Sequence, residues 1–209
     1  MTRRPEIERL RRYWDRHSGS YDRQMAFAER KFFGDSRQWV CGGAVGDVLE
    51  VAVGTGLNLG SYPEDVALTG VDLSPQMLDH ARRRAAESGR SVTLQVGDAH
   101  HLEFPDASFD TVVCTFSLCA IPDERRAVAE AWRVLRPGGQ LRLADHVVST
   151  SAPVRLLQRL LELVMIPVGG EHFRRRPVLH VREQGFVVER QERFKAGVVE
   201  RVVARKPAA

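Results

Sequence analysis

The stretch Val48-Leu49-Glu50-Val51-Ala52-Val53-Gly54-Thr55-Gly56-Leu57-Asn58 decides how the chain is read. An apolar run of strand type carries one carboxylate, Glu50, and then empties into two glycines. A strand apolar on both faces is typical of a parallel sheet covered by helices. Glycines at its end leave the backbone open to close approach by something else.

Working outward, apolar runs recur at 48–53, 66–71, 92–96, 109–114 and 141–144. Helical segments separate them: 75–88, with Ser74 as N-cap and Pro75 at the first helical position, and 123–135, halted by Pro137-Gly138-Gly139. That alternation predicts a parallel sheet with helices on both faces. The rhythm changes after a helix near 153–165 and another near 177–184. Runs at 186–194 and 198–205 are joined only by Lys195-Ala196-Gly197, which permits an antiparallel hairpin and nothing longer. The expected fold class is therefore α/β, a doubly wound, mostly parallel sheet of these seven runs with one reversed strand near its edge. Before residue 47, Ile7, Leu10, Tyr13, Trp14, Tyr21, Met25 and Phe27 recur at near-helical spacing, interrupted by Ser18-Gly19-Ser20. Two short helices are expected there.

The 209 residues, 43% hydrophobic, suit one domain, 1–209, with a core of its own. No apolar run approaches the ~20 residues of a membrane span. The opening M-T-R-R-P-E-I-E-R lacks the apolar centre of a secretion signal. Cys41, Cys114 and Cys119 lack metal-type spacing and read as reduced thiols in a cytoplasm. Of the net charge of +4, all resides in residues 1–40, with ten Lys/Arg against six Asp/Glu; the remainder balances at 21 against 21. A basic helical face of that kind serves an anionic membrane surface, an acidic ligand or simply solvent. It is too modest an excess for nucleic acid.

Open parallel sheets bind ligands beyond the carboxyl ends of their strands. Gly54 and Gly56 lie at such an end. Asp72 closes the second strand in G-V-D-L-S, where a carboxylate can accept both hydroxyls of a ribose. Asp98 follows the third strand in V-G-D-A, placed to accept from an adenine amino group. A dinucleotide site is disfavoured, because Leu59 stands where G-x-G-x-x-G needs its third glycine.

E-V-A-V-G-T-G, G-V-D-L-S-P-Q-M-L, G-D-A-H-H-L-E-F-P-D-A-S-F-D and R-V-L-R-P-G-G-Q-L together resemble class I S-adenosylmethionine-dependent methyltransferases of the ubiquinone-type group, over roughly 45–205. Ala52 stands where that family usually has its first glycine. The resemblance implies that Glu50 supports the glycine loop and the methionyl amino group, and that Ala52, Gly54 and Gly56 pack on the methionine portion. It further implies that Asp72 takes the ribose, Leu73 and Met77 flank the adenine, and Asp98 with the Ala99 amide reads its edge. Cys114, Thr115 and Phe116 follow the fourth strand, where family members offer a carbonyl to the ammonium. Tyr21, in W-D-R-H-S-G-S-Y-D, resembles the N-terminal segment that covers the cofactor, so residues 1–40 are expected to form a helical lid on a core at 45–205. The expected product of the cofactor is S-adenosylhomocysteine.

The acceptor is less constrained. C-T-F-S-L-C replaces the N/D-P-P-Y of base-modifying enzymes, and no carboxylate cluster matches metal-dependent catechol enzymes, so neither nucleic acid nor a metal is expected. His100-His101 read as solvated loop residues. Asp145-His146, ending the fifth strand in L-R-L-A-D-H, offer a candidate base that takes a proton near neutral pH, with Asp145 either holding the imidazole or facing solvent. The apolar helix L-L-Q-R-L-L-E-L-V-M-I and G-G-E-H-F-R-R-R follow. These parts resemble alkyl-thiol S-methyltransferases and bacterial phosphatidylethanolamine N-methyltransferases. A small thiol is the first expectation; an amine or phospholipid headgroup, C-methylation of a quinone precursor, and cofactor binding without catalysis stay open.

Overall fold

The computed structural model describes residues 3–208. Seven strands, β1 (Asp47–Val51), β2 (Ala67–Asp72), β3 (Thr93–Val96), β4 (Phe109–Thr115), β5 (Leu135–His146), β6 (Val187–Phe194) and β7 (Val199–Arg205), form one sheet in the order β3-β2-β1-β4-β5-β7-β6. Only β7 is reversed, antiparallel to both β5 and β6, while the others run parallel. The order turns back between β1 and β4, which puts a crevice at their carboxyl ends.

Alternation along β1 explains why both faces are covered. Leu49 and Val51 enter a core with Val128, Ala131 and Val134 of α4 (Glu124–Val134) and Val178 and Val181 of α6 (Pro177–Glu183). Val48 points the other way, into a second core with Val40 of α2 (Ser36–Cys41) and Ala85 of α3 (Pro75–Ser88). Glu50 shares the Val48 face by the period-two rule. The helices start as the sequence dictates: Ser74 Oγ accepts from Met77 N with Pro75 next in line, and the Asp123 side chain accepts from Arg126 N. Helix α4 ends at Val134, and Leu135 already pairs with Phe109, so Pro137-Gly138-Gly139 falls inside β5 at a register shift rather than after a longer helix.

The N-terminal region differs from the expected pair of helices. A single helix, α1, runs 26 residues from Arg3 to Ala28 straight through Ser18-Gly19-Ser20. Ser18 and Ser20 donate back to the Asp15 and His17 carbonyls, and Gly19 lies in open space. A glycine costs a helix only about 1 kcal/mol against alanine. Tertiary anchors offset it: Asp15 accepts from Ser74 Oγ at 2.5 Å, and Asp22 accepts from Thr55 Oγ1 at 2.5 Å and Arg84 Nη2 at 2.6 Å. A π-helical turn, Glu29–Phe33, then leads to α2. Helix α5 (Ala152–Gly169) packs its C-terminal end on α1, where Gly169 meets the Tyr13 ring.

Candidate active site

Beyond the carboxyl ends of β1, β2, β3 and β4 lies a cavity of about 760 Å³, part open to solvent. Tyr21, Ala52, Gly54, Asp72, Leu73, Met77, Asp98, Ala99 and Phe116 all line it, and α1 closes it with Ile7, Leu10 and Trp14. Five parts of the chain therefore supply residues to one space.

Asp72 is the hinge of this arrangement. Its Oδ2 accepts from Gly54 N and its Oδ1 from Ser74 N, both at 2.8 Å, tying the glycine loop to the start of α3. Burial pushes its pKa up to about 6, against the backbone hydrogen bonds that favour the ionised form. Asp98 is oriented differently. Burial opposes its ionisation, but hydrogen bonds from the His100 side chain and backbone outweigh that and lower its pKa. His100 is itself buried, donating from Nδ1 to Asp98 at 2.6 Å and accepting at Nε2 from Asp123 N at 3.1 Å. The expectation of two solvated histidines is thus corrected: His101 is exposed, but His100 lines the cavity and fixes Asp98.

Glu50 and Gly56 lie behind the cavity wall. The Glu50 carboxylate accepts from Asn58 Nδ2 at 2.6 Å and Tyr62 OH at 2.8 Å, and burial raises its pKa to about 7. Asn58 also donates to Thr115 Oγ1 at 2.8 Å, joining the glycine loop to the end of β4. The acidic residue in an apolar strand is a strut for the loop, and Thr115 turns its hydroxyl back into the same network. The two glycines divide the work. A side chain at Gly54 would project into the cavity, meeting only Tyr21 at 4.0 Å. One at Gly56 would strike Leu59 at 2.9 Å and Ala81 at 3.2 Å, so Gly56 lets the loop pack on α3.

Ala52 and Phe116 take positive φ values of 56° and 52°. Left-handed backbone costs a non-glycine residue roughly 1–2 kcal/mol, and both strained residues face the cavity. Phe116 is held by stacking on Phe33, with ring centroids 3.9 Å apart. Arg37 lies over Phe116, bonds to Asn58 Oδ1 at 2.7 Å, and keeps a buried Nη2 without a hydrogen-bond partner among the described residues.

Asp145 and His146 do not line this cavity. Asp145 is buried, accepting from Cys119 N at 3.1 Å and His146 N at 2.8 Å, with the Cys119 thiol also bonded to it. Burial pushes its carboxyl up to about 7. It neither holds the imidazole nor faces solvent, contrary to both expectations. The His146 ring stacks on Phe173 at 4.8 Å with Nδ1 buried and unpartnered among the described residues, and burial pulls its pKa down to about 4. The near-neutral titration expected of His146 is therefore absent, because its surroundings solvate an imidazolium poorly.

The sequence reading missed Asp15, Asp22, Asn58, His100 and Arg37. Asp15 and Asp22 are seven apart, two turns on one helix face, a signal hidden by reading a break at Gly19.

Residues 49–143 match the family model described as a methyltransferase domain. Over that stretch the chain is similar to S-adenosylmethionine-dependent methyltransferases, and S-adenosylmethionine is the expected cofactor. Phosphatidylethanolamine N-methyltransferase of Cereibacter sphaeroides is 42% identical over 56% of this chain and 58% of its own length. Human thiol S-methyltransferase is 32% identical over 62% of this chain and 54% of its own. The chain thus spans about half the length of these curated relatives. A SAM-dependent methyltransferase structure from Thermotoga maritima superposes with a TM-score of 0.70 at 22% identity, covering 93% of this chain and 99% of that one, which speaks for the fold. Among the described residues, no helix is long and apolar enough to cross a membrane.

The residues present fit the cofactor. Gly54 leaves a cradle that a Cβ would fill, and the orphaned Arg37 Nη2 suits an α-carboxylate beside the glycine loop.

Proposed function

We propose that the protein transfers a methyl group from S-adenosylmethionine to a small-molecule acceptor, and that the acceptor is a small thiol. The observation that carries the first part is the meeting of Ala52, Gly54, Asp72, Met77, Asp98 and Phe116 in one cavity under Tyr21. In this reading Asp72 accepts the ribose hydroxyls, and Leu73 and Met77 flank the adenine. Asp98, set by His100, reads the adenine edge with the Ala99 amide. Glu50 and Thr115 act through Asn58, Gly56 through packing, and Arg37 takes the carboxylate. Helix α1 is the lid, pinned by Asp15 and Asp22.

The cofactor supplies an electrophilic methyl whose leaving group is a neutral thioether, so the chemistry needs no acid and no metal. The chain's task is to hold the acceptor in line and exclude water. A thiol with a pKa of roughly 8.5 leaves only a few per cent thiolate at pH 7, so a base helps. Within the Asp145/His146 pair, the group that titrates near neutral pH is Asp145, with His146 remaining neutral beside it. The likeness to human thiol S-methyltransferase supports the thiol. Three free, buried cysteines suit a reducing, cytoplasmic setting.

One observation favours an amine instead. Glu171 has its pKa raised by burial and no bonding partner among the described residues, yet stands within electrostatic reach of Tyr13, Tyr21 and Cys119. A carboxylate so placed would receive a cationic acceptor, in line with the Cereibacter sphaeroides relative.

The test is a screen with methyl-labelled cofactor against alkyl thiols, amines, phosphatidylethanolamine and quinone precursors. Thiol turnover should rise with pH towards the thiol's own pKa of about 8.5; an added limb near 7 that Asp145→Asn removes would assign the proton transfer to Asp145. Label on amines alone, lost in Glu171→Gln, moves the assignment to N-methylation; label on a quinone precursor alone moves it to carbon. Tight cofactor binding with no labelled product would make this a binding protein.

A further inference from the structure

Helix α5 is built inside out. Its buried polar side chains are Gln158 and Glu162, one turn apart on the inward face, whereas Leu156, Leu157, Leu160, Leu161, Leu163, Val164 and Val168 point outward, with Leu163 71% exposed. This orientation is fixed by hydrogen bonds and not by chance rotation. Gln158 Nε2 donates to the Val147 and Phe173 carbonyls and its Oε1 accepts from Ser149 N. Glu162 accepts from the Phe173 and Arg174 amides and from Arg174 Nε. Turning the leucines inward would leave all of these backbone groups unpaired, at a cost no exposed leucine repays.

A leucine stripe of this extent on a free surface marks an interaction site. The charges on it say with what. The exposed residues of α5 include Arg155 and Arg159 and no acid, and Glu162 is buried and paired. Arg159 has no partner among the described residues. Alongside, Arg9 of α1 bonds the Pro167 and Val168 carbonyls at the end of α5, and exposed Arg12 and Arg16 follow it along α1. A second copy of the chain is a poor occupant. One face of an 18-residue helix is ~27 Å long and ~10 Å wide, or ~270 Å², against ~800 Å² per partner in a stable interface. A twofold pairing would also set the same arginines against each other.

We infer that the outer face of α5 is a membrane-docking surface that lies in the headgroup layer of an anionic lipid bilayer, leucines down and arginines on the phosphates. Because Gln158 and Glu162 hold the loops that carry Val147 and Phe173, docking places the His146 side of the molecule at the lipid surface. The inference stands whichever acceptor is methylated.

The test is sedimentation of the full chain with vesicles of equal parts phosphatidylglycerol and phosphatidylcholine, and with phosphatidylcholine alone. Binding is expected to the first and to be at least about tenfold weaker to the second or in high salt. Leu160→Asp combined with Leu163→Asp should abolish it, and Arg159→Glu should weaken it, while melting temperature and cofactor affinity stay at the parent values. Absence of binding to anionic vesicles at low salt overturns the proposal. So does a dimer in lipid-free buffer that the two leucine substitutions dissolve.

Discussion

Around the glycine loop, polar side chains organise backbone so that it can be touched: Asp72 holds the amides of Gly54 and Ser74 at the edge of a cavity, and Asp98 is turned by His100. Beyond β5 the same kinds of residue organise backbone away from open space. Gln158 and Glu162 serve loop amides and carbonyls from the buried side, and Asp145 is enclosed by Cys119 and His146. The first region presents its polarity to a cavity. The second conceals its polarity and presents hydrocarbon.

The sharpest way to break this contrast is Asp72→Ala. Hydrogen bonds to a charged group contribute about 1.5–3 kcal/mol each, so losing two from a ribose should weaken cofactor binding at least about a hundredfold by calorimetry. Asp98→Ala, which removes one contact to the adenine edge, should cost roughly tenfold. If Asp72→Ala binds the cofactor as well as the parent, the polar half does not serve the ligand assigned to it. Preferential binding of NAD by the parent would have the same consequence.

A smaller effect is expected from the lid. Removing residues 1–30 takes away Trp14 and Tyr21 from the cavity wall together with the Asp15 and Asp22 anchors. Cofactor affinity should then fall by about tenfold in plain buffer with no lipid present, and Asp22→Ala alone by roughly fivefold. Unchanged affinity in the truncated chain would detach α1 from the cofactor half.

These two tests bear on parts that differed in legibility. The alternation of strands and helices and the closing hairpin could be read directly, because strand periodicity and a three-residue link leave local marks. Support of the glycine loop by Glu50 was implied by the resemblance, but not its means, since Asn58 and Tyr62 are its partners only once β1 and its loop have folded. The single α1 was illegible because Ser18-Gly19-Ser20 is a local break signal, overridden by contacts from Ser74, Thr55 and Arg84 far along the chain. His146 was placed at the right strand end and given the wrong basicity. Burial lowers its pKa, and that burial comes from residues distant in the chain, such as Phe173 stacked on the ring from twenty-seven positions away, which no spacing in the sequence encodes.

Stability against pH sharpens the comparison further, with a shift of a few degrees. Glu50, Asp72 and Asp145 have folded pKa values of about 7, 6 and 7, all raised by burial, whereas unfolded carboxyls titrate near 4. Between those limits the folded state holds the extra protons, so stability falls as pH rises. His146, lowered to about 4, works in the opposite sense up to about pH 6.5 and is silent above it. The melting temperature of the cofactor-free protein should therefore drop between about pH 6.5 and 8. Cofactor should flatten that drop, because ribose hydroxyls donated to Asp72 favour its ionised form, and its affinity should weaken as pH falls below about 6. Asp145→Asn should flatten the drop without any cofactor. A melting temperature that climbs over this range would mean the buried carboxyls are ionised in the folded state.

The smallest effect belongs to Ala52→Gly. Ala52 holds φ at 56°, a conformation glycine adopts freely, so the exchange relieves roughly 1–2 kcal/mol of strain. Glycine also gains about 0.5–1 kcal/mol of freedom in the unfolded chain, which opposes the relief. The net should be a stabilisation of no more than about 1.5 kcal/mol, seen as a slightly higher melting temperature. Removing the methyl from the cavity wall should leave cofactor affinity within about threefold. Phe116→Gly, at a nearly identical φ of 52°, is the control, because it also deletes the ring stacked on Phe33 and should destabilise. If Ala52→Gly instead lowers affinity well beyond threefold, the alanine methyl is a contact with the cofactor, and this chain's departure from glycine belongs to recognition.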